Sequence, residues 1–208
     1  MAKKQVSIVT VVIVLVVFGV ISTGMIMWVT DTGPIVRLKA GSYAREIASL
    51  DGDRGAATIK LCSLGHDVAL PYALEMIKSS EYTTRAYGYN ILDTIKAVEA
   101  SGEIITAVLA DDNTTNRAKA IMVLMHLCPD YRIDPKGQAQ FKAKYLERLI
   151  KLLDDREPEV RRSLCAAMSG FSGTYNPDHD AAWWKEWWEK NKPGAAEKPA
   201  EKTAEAPK

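Results

Sequence analysis

Apolar positions along this chain follow three successive patterns. Residues 5–29 (QVSIVTVVIVLVVFGVISTGMIMWV) carry no charge, and eighteen of these twenty-five are Val, Ile, Leu, Phe, Met or Trp. A helix rising about 1.5 Å per residue crosses a hydrocarbon core of about 30 Å in roughly 20 residues. The β-branched content would suit a strand in water, but in lipid only a helix satisfies the backbone of a lone segment. Trp28 stands where an interfacial aromatic belongs, and Gly33-Pro34 punctuates the exit. The pattern predicts one transmembrane helix within residues 1–30, followed by a linker over 31–41.

The second pattern has helical period and repeats itself. Arg54, Arg85, Arg117 and Arg161 are spaced by 31, 32 and 44 residues. Three residues after each stand Ala57, Gly88, Ala120 and Leu164. Seven after stand Leu61, Leu92, Leu124 and Met168, and ten after stand Leu64, Ile95, Leu127 and Phe171. Offsets of 3, 7 and 10 share one helical face. A shorter apolar face precedes the last three arginines: Ala73, Ile105 and Leu149 twelve residues before, Met76, Val108 and Leu152 nine before, Ile77, Leu109 and Leu153 eight before. Polar turns separate the two faces: Ser79-Ser80-Glu81, Asp111-Asp112-Asn113 and Asp154-Asp155-Arg156-Glu157-Pro158. Asp, Ser and Asn suit helix N-caps, and Pro158 suits a first turn. The repeating unit is thus a helical hairpin. The longer third spacing predicts a loop insertion over 129–141. In the first unit, residues 42–50 form the candidate first helix, and Asp51-Gly52-Asp53 leaves a tight turn.

The segment Leu149-Ile150-Lys151-Leu152-Leu153-Asp154-Asp155, followed by Pro158-Glu159-Val160-Arg161-Arg162, resembles a HEAT repeat. Val108-Leu109-Ala110-Asp111-Asp112 with Arg117-Ala118 matches less fully, and residues 82–95 keep only the arginine and the apolar offsets. The resemblance covers about residues 42–172. It implies an all-α chain whose repeat domain, residues 42–175, is a short α-solenoid of three to four HEAT-like hairpins, preceded by the one transmembrane helix. It also implies that turn aspartates and helix arginines form a ladder between neighbours, with Asp111, Arg117, Asp155 and Arg161 organising the repeats.

The third pattern is DHDAAWWKEWWEKN, residues 178–191. Trp183, Trp184, Trp187 and Trp188 form a broad aromatic face on a helix predicted within 176–191, with Asp178 or Asp180 to cap it. The ending resembles the Tyr-x-Pro…Trp-x-x-Trp-Trp close of bacterial HEAT-repeat proteins, carried by Tyr175, Pro177, Trp184, Trp187 and Trp188. A capping helix that closes the stack is the main reading, since an end repeat cannot bury its own face. A partner-binding patch through Trp183 and Trp187 is the second. Interfacial membrane contact is the third, weakened because two Lys meet two Glu on this helix. Residues 192–208 hold three prolines and no aromatic or large aliphatic side chain, so they read as a disordered tail.

Charge narrows the function classes. Across 208 residues, 27 Lys and Arg oppose 26 Asp and Glu, a net +1. A nucleic-acid binder needs a basic excess to neutralise phosphates. The 47% hydrophobic content overstates the water-soluble part, because the apolar N-terminal run supplies much of it. Lys3, Lys4 and the terminal amine precede that run, while Asp31 follows it, so the positive-inside bias puts the N-terminus in the cytoplasm and the repeat domain outside, in periplasm or extracellular space. A cleaved signal peptide is the competing pattern. Its apolar region would be about 7–15 residues with an A-x-A-like site, and Ser22-Thr23-Gly24 is only a weak substitute.

Catalytic signatures are absent from the sequence. Cys62, Cys128 and Cys165 have no short spacing and read as small core residues. His66, His126 and His179 form no metal-ligand motif, and the adjacent pairs His66-Asp67 and His179-Asp180 read as pointing to different helix faces. No Gly-x-Ser-x-Gly or phosphate loop occurs, and no cofactor is expected. The expected role is a membrane-held, non-catalytic module for protein–protein binding or scaffolding. Candidate partner contacts are Tyr82, Tyr87, Tyr89, Tyr131, Arg132, Trp183 and Trp187. The alternative is an enzyme or lyase-like domain on the same scaffold, acting on a bound ligand or a modified protein. It would need a deep pocket with convergent titratable groups.

Overall fold

The computed structural model describes residues 33–49, 52–130, 132–174 and 180–192. The described residues form an all-α chain of nine α-helices with two short 3-10 turns and no strand. In chain order the helices are α1 (Pro34–Ala48), α2 (Arg54–Ser63), α3 (His66–Met76), α4 (Tyr82–Thr94), α5 (Ser101–Ala110), α6 (Thr114–Leu127), α7 (Pro135–Ile150), α8 (Pro158–Ser172) and α9 (Ala181–Asn191). The 3-10 turns are Val98–Ala100 and Lys151–Asp154. No helix among the described residues is long and apolar enough to cross a membrane. The expected anchor at 5–29 lies outside the described residues, as does the tail beyond Lys192. The chain divides into two compact units, Met1–Tyr72 and Ala73–Lys208, with the division inside α3.

In the first unit α1 packs on α2. The helix begins at Pro34, within the stretch expected to be a linker over 31–41, and eight residues before the expected start at Ser42. Proline at the first helical position loses no hydrogen bond and has its φ preset, so Gly33-Pro34 starts a helix here as well as punctuating the exit from the apolar run. Ala40 and Ile47 of α1, seven apart, and Ala57 and Leu61 of α2, four apart, are fully buried. The Asp53 carboxylate caps α2 by accepting the Ala56 N–H at 3.0 Å. The Tyr72 hydroxyl donates to the Arg37 carbonyl at 3.2 Å.

In the second unit α6 packs against α4 and α8. α5 lies against α6 and α7. α9 packs on α8, α7 and the 3-10 turn Lys151–Asp154. The helical offsets translate into burial except at Leu64 and Ile95, which are half-buried. Ala120, Leu164, Leu92, Leu124, Met168 and Phe171 are fully buried, and Leu127 is nearly so. Leu109 departs from the expected face and is 40% exposed. α5 stays α-helical to Ala110 before Asp111 turns extended, whereas the later unit tightens into the 3-10 turn that carries Leu152 and Leu153 inward.

The insertion expected as loop over 129–141 is shorter than that. α7 begins at Pro135, with the Asp134 carboxylate capping the Gly137 N–H at 2.8 Å. Asp-Pro therefore serves as N-cap and first helical position. Gln138, buried, donates from Nε2 to the Phe171 carbonyl at 3.0 Å, tying the start of α7 to the end of α8. Phe141 stacks on Phe171 with ring centroids 5.7 Å apart.

Gly88 sits at a close approach of α4 to the end of α3. A Cβ placed there would lie 2.9 Å from the Ile77 backbone nitrogen and 2.9 Å from Met76 Cβ. Because backbone cannot step aside as a side-chain tip can, Gly88→Ala should cost about 1–3 kcal/mol through overpacking. A lowered urea midpoint with unchanged helix content would show it. An unchanged midpoint would mean the crossing is looser than these distances imply.

Candidate functional site

The charged residues of the turns are joined in series. Arg85 at the start of α4 donates from Nε to Asp111 Oδ2 at 2.9 Å and from NH2 to Asp111 Oδ1 at 2.8 Å. Its NH1 donates to the Ser79 and Ser80 carbonyls of its own turn, each at 3.0 Å. Arg117 repeats the arrangement one hairpin later. Nε and NH2 donate to Asp155 at 2.8 and 2.9 Å, and NH1 donates to the Asp111 carbonyl at 3.0 Å. Arg161 keeps the carbonyl part, donating to Asp155 O at 2.6 Å and Arg156 O at 3.0 Å. Each carboxylate also accepts the backbone N–H two residues on, Asn113 for Asp111 and Glu157 for Asp155, both at 2.9 Å.

Both ion pairs are withdrawn from water. The side chains of Arg117 and Asp155 are 6% and 9% exposed, and those of Arg85 and Asp111 are 10% and 1% exposed. A fork of two parallel N–H···O bonds offsets much of the desolvation such burial brings. Asp112 adds a third contact to Arg85 at 2.6 Å from an exposed position. The bonds from Asp111 hold the Arg85 guanidinium in its charged form more firmly than usual, against its burial. Burial acts to raise Asp155, but hydrogen bonds from Arg117 and the Glu157 N–H outweigh it and hold the carboxyl below the ordinary range.

Glu81, the N-cap of α4, behaves in the same sense. Its partial burial opposes ionisation, yet bonds from Thr83 and Thr84 bring its pKa from 4.5 down to about 2. A carboxyl whose folded pKa is depressed contributes stability above its unfolded pKa, and that contribution is lost as pH falls through the folded value. The urea midpoint should therefore hold steady down to about pH 5 and fall between 4.5 and about 2. Glu81→Gln should flatten part of that fall. A midpoint equally steep in the variant would remove Glu81 from the account.

Beside the rungs runs an open trough of about 1050 Å³ within the second unit. Its floor is the outer face of α5, where Gly102, Thr106, Ala107 and Ala110 are small. One wall is the turn Lys78–Ser80 and the other is Lys144, Tyr145 and Arg148 of α7. Arg148 NH2 donates to Thr106 Oγ1 at 2.9 Å, joining wall to floor. Glu99 and Glu103 place acidic groups among the basic ones. The lining carries both charge signs on a shallow surface. A smaller hollow of about 560 Å³ lies among Met125, Cys128, Asp130, Ser169 and Gly170.

The sequence-chosen contacts are scattered. Tyr82 is 54% exposed and Tyr87 is half-buried. Tyr89 is not available as a partner contact: it is fully buried, with its hydroxyl 3.5 Å from Asp111 Oδ2, and burial raises its pKa. Arg132 is exposed and pairs with Asp130 at 2.9 Å, while Tyr131 lies outside the described residues. In α9 the four indoles split into two pairs. Trp184 and Trp188 are buried, whereas Trp183 and Trp187 are half-buried and meet Trp184 edge-on at 4.8 and 5.7 Å. Lys142 Nζ lies 4.7 Å from the centroid of the Trp187 ring. Asp180 is the cap of α9, accepting the Trp183 N–H at 2.9 Å. Arg85 and Arg148 were not among the sequence-chosen residues, although Arg85 holds the same offset as Arg117 and Arg161.

Other reactive groups are restrained. Cys62, Cys128 and Cys165 are half-buried rather than core, and burial pushes the Cys128 thiol up to about 12 and raises Cys165. His126 Nδ1 lies 3.0 Å from Asp93 Oδ2, linking α6 to α4. His66 Nδ1 meets Asp67 Oδ1 at 3.0 Å, so this adjacent pair converges where the sequence reading had it diverge. At the first turn of α3 the two side chains fold back on each other. Among the described residues no three His, Cys, Asp or Glu gather as metal ligands. No protein-family model matches the chain, and no curated protein matches it.

Proposed function

We propose that this chain is a membrane-anchored, HEAT-like α-solenoid that binds a protein partner and performs no chemistry of its own. Residues 5–29 hold it in the bilayer with the N-terminus cytoplasmic, and the helical region stands outside the cytoplasm. The observation that carries the reading is the repeated rung: Arg85–Asp111 and Arg117–Asp155 have equivalent geometry, each with an NH1 bond to the turn that starts its own helix. Such charges join one hairpin to the next, and Arg85, Asp111 and Asp112 also edge the trough over α5. Recognition falls to the trough over α5, whose small-residue floor and mixed walls suit a polypeptide segment better than a compact substrate. α9 then serves as the end cap, with Trp184 and Trp188 inward.

Photo-crosslinking in membranes of the native host tests this. A photoreactive residue at Glu103 or Thr106, on the trough, should capture one protein partner. The same group at Met122, exposed on α6, should not. Capture from Met122 alone, or from no position, would overturn the assignment of the trough.

A further inference from the structure

The outward side of α1 combines one large aliphatic with cations. Leu38 is 72% exposed. Arg37 precedes it and Arg45 follows seven residues later, two helical turns along the same side, and both are exposed. Lys39 is exposed as well, and the helix contains a single carboxylate, Glu46. The inward side holds Ala40 and Ile47. A lone exposed leucine means nothing in itself. Its place in the chain gives it weight. Only residues 30–33 separate the apolar run 5–29 from Pro34, a span of at most about 18 Å even when fully extended. The headgroup layer beyond the hydrocarbon is about 5–7 Å thick on each side. α1 is therefore tethered where a bilayer surface is the nearest large partner, and its basic side complements anionic lipid.

We propose that α1 docks on an anionic phospholipid surface, with Leu38 at the headgroup–acyl boundary and Arg37 and Arg45 on lipid phosphates. Arginine suits that task because its planar fork meets phosphate oxygens in pairs. The proposal rests on residues 5–29 spanning the bilayer, and it adds that the first helix after the anchor lies against the membrane, fixing how the first unit is presented.

The test uses the full chain in nanodiscs, with Cys62, Cys128 and Cys165 replaced by Ala and a nitroxide carried at Leu38→Cys, or at Val16→Cys within the anchor. Oxygen partitions into lipid and a nickel chelate stays in water, so their relaxation ratio places each label. In phosphatidylglycerol nanodiscs the label at 38 should read as bilayer-bound, and less so in phosphatidylcholine. Each cation near an anionic surface is worth about fivefold, so Arg37→Gln with Arg45→Gln should lower the docked-to-free ratio about 25-fold. A label at 38 reading water in both lipids, or broadened by a second copy of the chain, while the label at 16 reads lipid, overturns the docking and leaves the anchor standing. A label at 16 reading water instead overturns the anchor itself.

Discussion

Asp155→Ala should lower the stability of the second unit by about 3–5 kcal/mol. The substitution removes the acceptor of two bonds from Arg117 and of the Glu157 N–H. It leaves a guanidinium that is only 6% exposed with one carbonyl partner, Asp111 O. The loss is therefore mainly the desolvation of a buried cation, which exceeds the net worth of the pair when intact. Asp112→Ala is the control. Its carboxylate also touches Arg85 but is 88% exposed, so its removal should cost under about 1 kcal/mol. Urea unfolding of the full chain in detergent, followed by far-UV circular dichroism, reads both. Equal and small losses for the two variants would mean that burial of the rung contributes nothing.

Trp184→Ala carries the other large expectation, a loss of about 3–5 kcal/mol. Trp184 is fully buried, and its neighbours Trp183 and Trp187 are arranged around it edge-on, so its removal opens a cavity that they cannot fill without leaving their own contacts. α9 holds on the unit through α8, α7 and the 3-10 turn, and Lys185 pairs with Asp154 across that last contact. Trp183→Ala, at a half-buried position, should cost less than half as much. The comparison separates the capping reading of this helix from the binding one. If Trp183→Ala and Trp187→Ala weaken partner capture while Trp184→Ala only destabilises, the helix does both. If Trp184→Ala leaves stability unchanged, the helix is not a cap.

What was legible in the sequence is what depends on local periodicity. Leu124, Met168 and Phe171 could be placed inward because a helix fixes the side on which offsets of 3, 7 and 10 fall. Tyr89 was misread because a tyrosine alone reads as amphipathic. Its offset of 4 from Arg85 is that of Ile121 from Arg117, which is buried too, so aligning the units by their arginines carried the missing signal. The boundary errors share one cause. At both 33–34 and 134–135 a residue before proline reads as loop, whereas Gly33-Pro34 and Asp134-Pro135 supply the N-cap and first helical position. The trough could not be read at all. Its floor needs Gly102, Thr106 and Ala110 to face outward between two walls, and that depends on how far apart α7 and the Lys78–Ser80 turn stand. Arginine–aspartate matching was visible as equal spacing. That each arginine reaches the aspartate of the following turn, 26 and 38 residues on, is a tertiary fact.

That those rungs are joints between successive hairpins is tested most directly by a double-mutant cycle on Arg117 and Asp155. Arg117→Met and Asp155→Leu should each cost about 3–5 kcal/mol, since each strands a buried charge. The pair together should cost under about 2 kcal/mol, because two apolar side chains of similar size then face each other across the joint. The resulting coupling would exceed about 4 kcal/mol. Losses that simply add, with a coupling inside about 0.5 kcal/mol, would show that the two residues do not act on each other and would contradict the account.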